Sequence, residues 1–463
     1  MKIYFEKGKP IALFNKIEVN LKASFRNPIL DHMKTTFVLI CILLNVFFLN
    51  AQNKLERKIL RAIKSESSFN GAQIGITLID LEKKKELVTI DSEKRILPAS
   101  LVKLITVYGG VQKFGDSLPA LHYRKEKKRF YFWSSGYPLI NHPLYNDSTV
   151  TAFLNQQKDS LFYVSRPMVS KSLGKGWAWD DQAYYFSAKK SSFPIHGNVV
   201  QIISNPKSEK LQFNPPFFEN TLNHKTKKDH HEFKTNDHIY KLNRHQADSI
   251  YVPFIPSDSL VIKVLRNTLS SPVYTERKNE AIHSNFKTLK VSAQKVYKAI
   301  VEDSDNLIAE SLMLMLSGTV QWELDTDLGI ELIHQENKMM YENIVQVDGS
   351  GLSRNNLLTH EVLIEVLNKI HKSTSSPKIK DYFPQANSEG TLSMYAPSYN
   401  MSFVYAKTGS MKNNHLLAGF LLSNSNRPYS FVISVNNYKG KRTVIQRGVA
   451  KLLLILKNKL KLN

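Results

Sequence analysis

The 463-residue chain is 42% hydrophobic and 22% charged, which supplies a large buried core and excludes both a small single module and a disordered chain. Its 63 Lys and Arg against 40 Asp and Glu give a net charge of +23, which favours polyanionic or carboxylate-rich surroundings. The lysines are scattered, without a nucleic-acid-binding module or an interleaved basic and aromatic stripe, so no nucleic-acid partner is expected; an anionic envelope surface, with peripheral membrane contact, fits better, and a merely solvated basic surface also accounts for the charge.

In chain order, Met33-Lys34 precedes an apolar run from Phe37 to Leu49, then Ala51-Gln52, the pattern of a secretory signal peptide. The run is shorter than the about 20 residues of a membrane span. An uncleaved anchor is the alternative. Residues 1–32 form a preface to a signal that starts naturally at Met33, so 1–51 reads as an N-terminal extension and signal, and the chain as exported to the periplasm or cell envelope. Cys41, the single cysteine, lies in the apolar run and leaves with it, so no disulfide or thiol chemistry remains.

A helix is predicted over Lys54–Ser65, then strands at Ile74–Asp80 and Glu86–Ile90 across a Lys-rich turn. Pro98 opens another helix, whose residues Leu101 to Thr106 are largely apolar. An excursion over 115–284 follows, with strands, prolines and the polar stretch Asn223–Gln246. That stretch holds His224, His230, His231, His238 and His245, whose irregular spacing among lysines reads as a solvated loop rather than a metal site. Three late strands, Phe403–Ala406, Leu416–Leu422 and Phe431–Val435, precede a final helix over Arg442–Lys457. The two early and three late strands complete one antiparallel sheet if the chain returns to its first domain, giving catalytic parts 52–114 and 285–463 around the insertion.

Three short motifs carry chemistry. Ser100 and Lys103 lie three apart on a helix, which puts a hydroxyl near an amine that can take its proton once burial or another cation lowers the amine's pKa. Ser-x-x-Lys alone is common here, recurring at Ser172, Ser187, Ser204, Ser284, Ser292 and Ser375; only at Ser100 does it open a strongly apolar helix. Ser304-Asp305-Asn306 precedes the apolar Leu307–Leu316, a place where ordinary helix capping is the plain alternative. Lys407-Thr408-Gly409 ends a strand, where a lysine and a hydroxyl can hold a carboxylate and exposed N–H groups can align a peptide. In this order the three match the serine, Ser-Asp-Asn and Lys-Thr-Gly set of β-lactamases and penicillin-binding proteins.

Further segments sharpen the likeness: Pro98–Thr106, Gly176-Trp177-Ala178-Trp179-Asp180-Asp181, Ser304–Glu310, Asp348-Gly349-Ser350-Gly351-Leu352-Ser353-Arg354, Gly390-Thr391-Leu392 and Lys407–Ser410. Over most of Lys54–Leu460 the chain resembles the class C low-molecular-mass penicillin-binding proteins, serine D-alanyl-D-alanine carboxypeptidases and endopeptidases. The long step from Ser100 to Ser304 also resembles that family, whose inserted domains interrupt the catalytic one. Two departures stand out: Gly136-Tyr137-Pro138 replaces the family's usual Gly-Asp-Pro, and Ser410 replaces a common threonine.

The resemblance implies an α/β (α+β) fold of the penicillin-binding protein and serine β-lactamase kind, with a five-stranded antiparallel sheet flanked by helices and a large inserted β-rich domain. It implies an acyl-enzyme at Ser100, Lys103 as base, Ser304 as proton relay, Asn306 on the substrate amide and Lys407 as a cation that lowers the Lys103 pKa. Thr408 would bind the terminal carboxylate, beside Gly409, and the N–H groups of Ser100 and Ser410 would form the oxyanion hole. Trp177, Asp180, Asp181, Leu352 and Arg354 would line a pocket for the stem's diamino acid, although Asp348, Gly349 and Gly351 equally suit a turn. Peptidoglycan stems ending in D-Ala-D-Ala are the implied substrate and β-lactams the implied covalent inhibitors, with no metal or cofactor. A β-lactamase-like hydrolase and a catalytically silent wall-binding protein remain the rival readings.

Overall fold

The computed structural model describes residues 54–462 apart from 236–237, 277–284, 338–343, 374–375, 387–389 and 396–399. The signal-peptide reading, Cys41 included, lies outside the described residues. Met1–Arg57 and Lys58–Asn463 are separate units, and of the first only Lys54–Arg57 are described, where helix α1 (Lys54–Ser65) begins. No helix among the described residues is long and apolar enough to cross a membrane.

Strands β1 (Gln73–Asp80) and β2 (Lys85–Ile90) form the predicted hairpin. The chain then passes Pro98, in helical backbone geometry, and Ala99, at φ 47°, into the tight turn Ala99–Leu101 that runs directly into helix α2 (Val102–Phe114). α2 is apolar on all sides because it is enclosed on all sides: every residue from Val102 to Gly110 is buried. A helix so enclosed fixes its first turn, and therefore Ser100, rigidly.

The excursion builds three sheets. β3 (Ser117–Glu126), β4 (Arg129–Ser134) and β5 (Ser160–Val164) join two later strands in the order β12-β5-β4-β3-β13, where β12 is Val273–Glu276 and β13 is Lys287–Ser292. β6 (Val199–Asn205), β7 (Ser208–Asn214) and β11 (Asp248–Pro253) form the second. β8 (His224–Thr226), β9 (His230–Lys234) and β10 (Ile239–Asn243) form the third, so the histidine-rich stretch read as a loop is instead a small antiparallel sheet. Among its described residues only Phe233 and Leu242 are buried apolar side chains, too few to show a strand period in the sequence. At Gly136-Tyr137-Pro138 the tyrosine is buried and its hydroxyl donates to Asp147 Oδ2 at 2.6 Å.

The chain returns as helices α3 (Asn306–Ser317), α4 (Thr326–Glu336) and α5 (His360–Ser373), then strands β14 (Val404–Met411), β15 (Asn414–Leu422) and β16 (Pro428–Asn436), and helix α6 (Arg442–Leu460). The expected five-stranded antiparallel sheet forms in the order β14-β15-β16-β1-β2. All positions of β15 and β16 are buried, as required of strands covered on both faces. One buried polar group bridges this sheet and α5: the His360 ring lies 3.1 Å from Thr77 Oγ1 and 2.8 Å from Ser434 Oγ. β14 is longer than predicted, because Lys407-Thr408-Gly409 does not end the strand but continues it to Met411. Gly409 is required there: a Cβ would stand 2.7 Å from Pro98 O, so only glycine lets this edge strand lie against the Ser100 turn.

Candidate active site

The turn Ala99–Leu101 ahead of α2, the start of α3 and the edge strand β14 meet at one cleft of about 710 Å3, lined among others by Ser100, Ser304, Asn306, Thr408 and Ser410. Lys103 lies beneath it, fully buried. Its Nζ is 3.2 Å from Ser100 Oγ, 2.5 Å from Asn306 Oδ1 and 2.5 Å from the Ser350 carbonyl oxygen. When the amine is neutral, its two N–H groups satisfy the two carbonyl-type oxygens and its lone pair is left facing the Ser100 hydroxyl. Burial pulls the Lys103 pKa down from 10.5 to about 8, against the opposing charges of Asp348, Asp305 and Glu310.

Lys407 is also fully buried, and donates to the Thr408 carbonyl at 3.1 Å. Burial first, and then repulsion from Lys103, hold its pKa well below the usual lysine value, with Asp303 acting the other way. For Lys103 the largest cause of the lowered pKa is desolvation, where the resemblance implied the Lys407 charge.

α3 begins where the chain needs two things at once. Ser304 sits in the left-handed region at φ 63°, facing the cleft, and Asp305 caps the helix by accepting the Ile308 N–H at 2.9 Å. Capping and cleft lining therefore coexist, on different residues of the motif. Asn306 shares its amide between the Lys103 amine, through Oδ1, and the Phe186 carbonyl, to which Nδ2 donates at 2.7 Å.

One turn further along α3, Glu310 is completely buried and accepts the backbone N–H groups of Gly349 and Ser350, each at 2.8 Å. This fixes the Ser350 carbonyl that Lys103 meets. Burial raises the Glu310 pKa, and the ammonium of buried Lys190, 3.5 Å from Oε2, opposes the rise. Asp348 organises the same loop by accepting from Gly351 N, Ser353 N, Asn356 Nδ2 and Trp177 Nε1 at 2.7–3.0 Å. The turn-forming alternative thus describes Asp348, Gly349 and Gly351. Gly351, at φ 74°, packs on the Ala99 carbonyl so closely that a Cβ would overlap it.

Of the pocket residues expected from the sequence, Asp181, Leu352 and Arg354 line the cleft. Trp177 and Asp180 do not: the indole is spent on Asp348, and Asp180 is exposed on the short turn Trp179–Asp181. The structure adds groups the sequence reading missed, namely the Phe186 carbonyl, Lys190, and Tyr145, whose hydroxyl donates to Asp303 Oδ2 at 3.0 Å. A backbone carbonyl leaves no trace in a sequence. Glu310, a carboxylate inside an apolar helix, was a legible sign that a buried cation was needed.

Residues 287–454 match the sequence profile of the D-Ala-D-Ala carboxypeptidase 3 (S13) family. The D-alanyl-D-alanine carboxypeptidase DacB of Haemophilus influenzae is 33% identical over 150 residues, 30% of this chain and 31% of that protein. Penicillin-sensitive carboxypeptidase A of Dictyostelium discoideum is 28% identical over 186 residues, 38% of this chain and 36% of that protein. The chain thus spans about a third of the length of each of these relatives. Among solved structures, penicillin-binding protein 4 (dacB) of Haemophilus influenzae superposes with a TM-score of 0.64 at 19% identity, over 88% of this chain and 99% of that one. A predatory endopeptidase of Bdellovibrio bacteriovorus gives 0.50 at 15% identity, over 84% and 94%. The likeness to the D-Ala-D-Ala carboxypeptidase 3 (S13) family is thus carried in sequence by residues 287–454, and the solved structures show that the fold is shared over most of the chain.

Proposed function

We propose that the protein is a penicillin-binding serine D-Ala-D-Ala carboxypeptidase/endopeptidase that trims peptidoglycan stem peptides in the cell envelope, after export directed by the Met33–Ala51 segment. The observation that carries this reading is the placing of the Lys103 amine against Ser100, Asn306 and the Ser350 carbonyl. Ser100 Oγ attacks the carbonyl between the two D-alanines while Lys103 takes its proton. The tetrahedral oxyanion is held by the N–H groups of Ser100 and Ser410, and collapses to an acyl-ester as Ser304 relays a proton to the departing D-alanine amine. Water then cleaves the ester and restores the serine. Asn306 holds the substrate amide, Lys407 and Thr408 receive the terminal carboxylate, and Asp181, Leu352 and Arg354 suit an ammonium-carboxylate side chain on the stem. The insertion over 115–284 shapes that pocket, and 52–114 with 285–463 form the catalytic domain.

General base catalysis supplies about 10²- to 10⁴-fold and each oxyanion donor about 10²- to 10³-fold. The test is mass spectrometry of the protein after exposure to a fluorescent penicillin, beside D-alanine release from a stem peptide, in wild type and Ser100→Ala. A persistent adduct at Ser100, lost in the variant, is expected. Rapid hydrolysis of the penicillin would favour a β-lactamase, and absence of both adduct and release a silent wall-binding protein.

A further inference from the structure

Behind the cleft wall β15 contributes a histidine that the proposed chemistry does not use. His415 stands opposite Ser410 in the β14–β15 ladder and is 1% exposed. Its Nδ1 is 2.9 Å from Ser410 Oγ and its Nε2 is 2.6 Å from the hydroxyl of Tyr395, itself buried on the helical turn Gly390–Tyr395. An imidazole between two hydroxyls can run its hydrogen bonds in either direction, and here the chemistry selects one. Burial pulls the His415 pKa down to about 4, with the Arg442 charge adding, and pushes the Tyr395 phenol up, so at neutral pH the ring is uncharged and the phenol keeps its proton. For that single phenolic proton the acceptor found among the described residues is Nε2. Donating there makes Nε2 the acceptor and leaves the ring's own hydrogen on Nδ1, where it is given to Ser410 Oγ. One of the serine's two lone pairs is then occupied, and its O–H, not given to the ring, is free to donate into the cleft that it lines.

The geometry points to His415 and Tyr395 as positioning residues that hold the Ser410 hydroxyl as a donor to an anionic oxygen of the bound peptide, its terminal carboxylate. Lys412 and Arg442 line the same cleft and suit the same charge. This inference rests on the proposed stem-peptide substrate for the identity of the anion, though not for the direction of the relay.

Two measurements test it. Nitrogen-detected NMR of the His415 ring at neutral pH is expected to show hydrogen on Nδ1; hydrogen on Nε2 would overturn the relay whatever the enzyme does. In a Ser100→Ala background, which cannot turn over, binding of a stem peptide ending in D-Ala-D-Ala is compared with the same peptide amidated at its C-terminus. His415→Leu should weaken the carboxylate peptide about tenfold and leave the amide unchanged, as losing one hydrogen bond to a charged group requires. His415→Asn, which keeps a donor where Nδ1 stood, should restore most of the loss. Adding Ser410→Ala to His415→Leu should cost nothing more, because both remove one interaction. Equal weakening of both peptides, or additive losses, would make His415 a packing residue. The two failures look different: absence of Ser100 acylation in the wild type sinks the hydrolase reading, while the tautomer and the carboxylate preference judge this one.

Discussion

If Lys103 is the base, the acylation rate of Ser100 must follow the fraction of Lys103 that is neutral. Burial brings its pKa from 10.5 to about 8, so at pH 7 roughly a tenth of the amines are neutral, against a few in ten thousand for an exposed lysine, a gain of roughly 300-fold. The sign is fixed by the chemistry: the protonated form predominates below the folded pKa and cannot accept a proton, so reactivity falls on the acid side. The second-order rate of acylation by a fluorescent penicillin, measured from pH 5 to 10, should therefore rise about tenfold per pH unit up to pH ~8 and then level. Glu310→Gln removes one of the three charges that hold the proton on Lys103, and should move the inflection to lower pH. A flat profile between pH 6 and 9, or an inflection near 10.5, would refute Lys103 as a desolvated base.

Two further changes probe the supports of the site. Lys190→Met leaves Glu310 as an uncompensated buried charge and should destabilise the protein by about 3–5 kcal/mol, read as a lowered urea midpoint at unchanged slope. Gly351→Ala forces a methyl into the Ala99 carbonyl at a backbone angle suited to glycine, and should cut penicillin acylation at least tenfold by displacing Ser100; acylation at the wild-type rate would show that the loop does not hold the nucleophile.

What the sequence disclosed is what is local. Ser100 and Lys103 are one helical turn apart, so their proximity needs no tertiary contact, and the hairpin of β1 and β2 shows its alternation and its turn. The strands of the central sheet were legible from apolar content, but β14 was cut short because polar Lys407 and Thr408 hide a strand whose lysine is buried. Lys190 is one among 63 basic residues, and nothing near it in the chain distinguishes it from a surface lysine. Its role is set by Glu310, which lies far along the chain, and long-range pairing of that kind is invisible without the fold. Trp177 was assigned to the pocket by resemblance, whereas its N–H is drawn instead to the carboxylate of Asp348, which accepts from five donors.

Four contacts of the insertion between Ser100 and Ser304 bear most directly on the groups around Lys103 and the cleft. Phe186 accepts from Asn306, Lys190 faces Glu310, Trp177 donates to Asp348, and Tyr145 donates to Asp303. Each meets a polar group of the catalytic part that would otherwise face solvent or stand unpaired. Three of those groups, Asn306, Glu310 and Asp348, are in turn what encloses Lys103, by direct contact or by fixing the loop that carries the Ser350 carbonyl. Opening that enclosure to water would let the Lys103 pKa drift back toward 10.5 and forfeit up to the roughly 300-fold gain in neutral amine at pH 7. Whatever the inserted sheets do, the seal that these four residues, all outside the strands, place over the groups around Lys103 is a condition for it to serve as the proposed base.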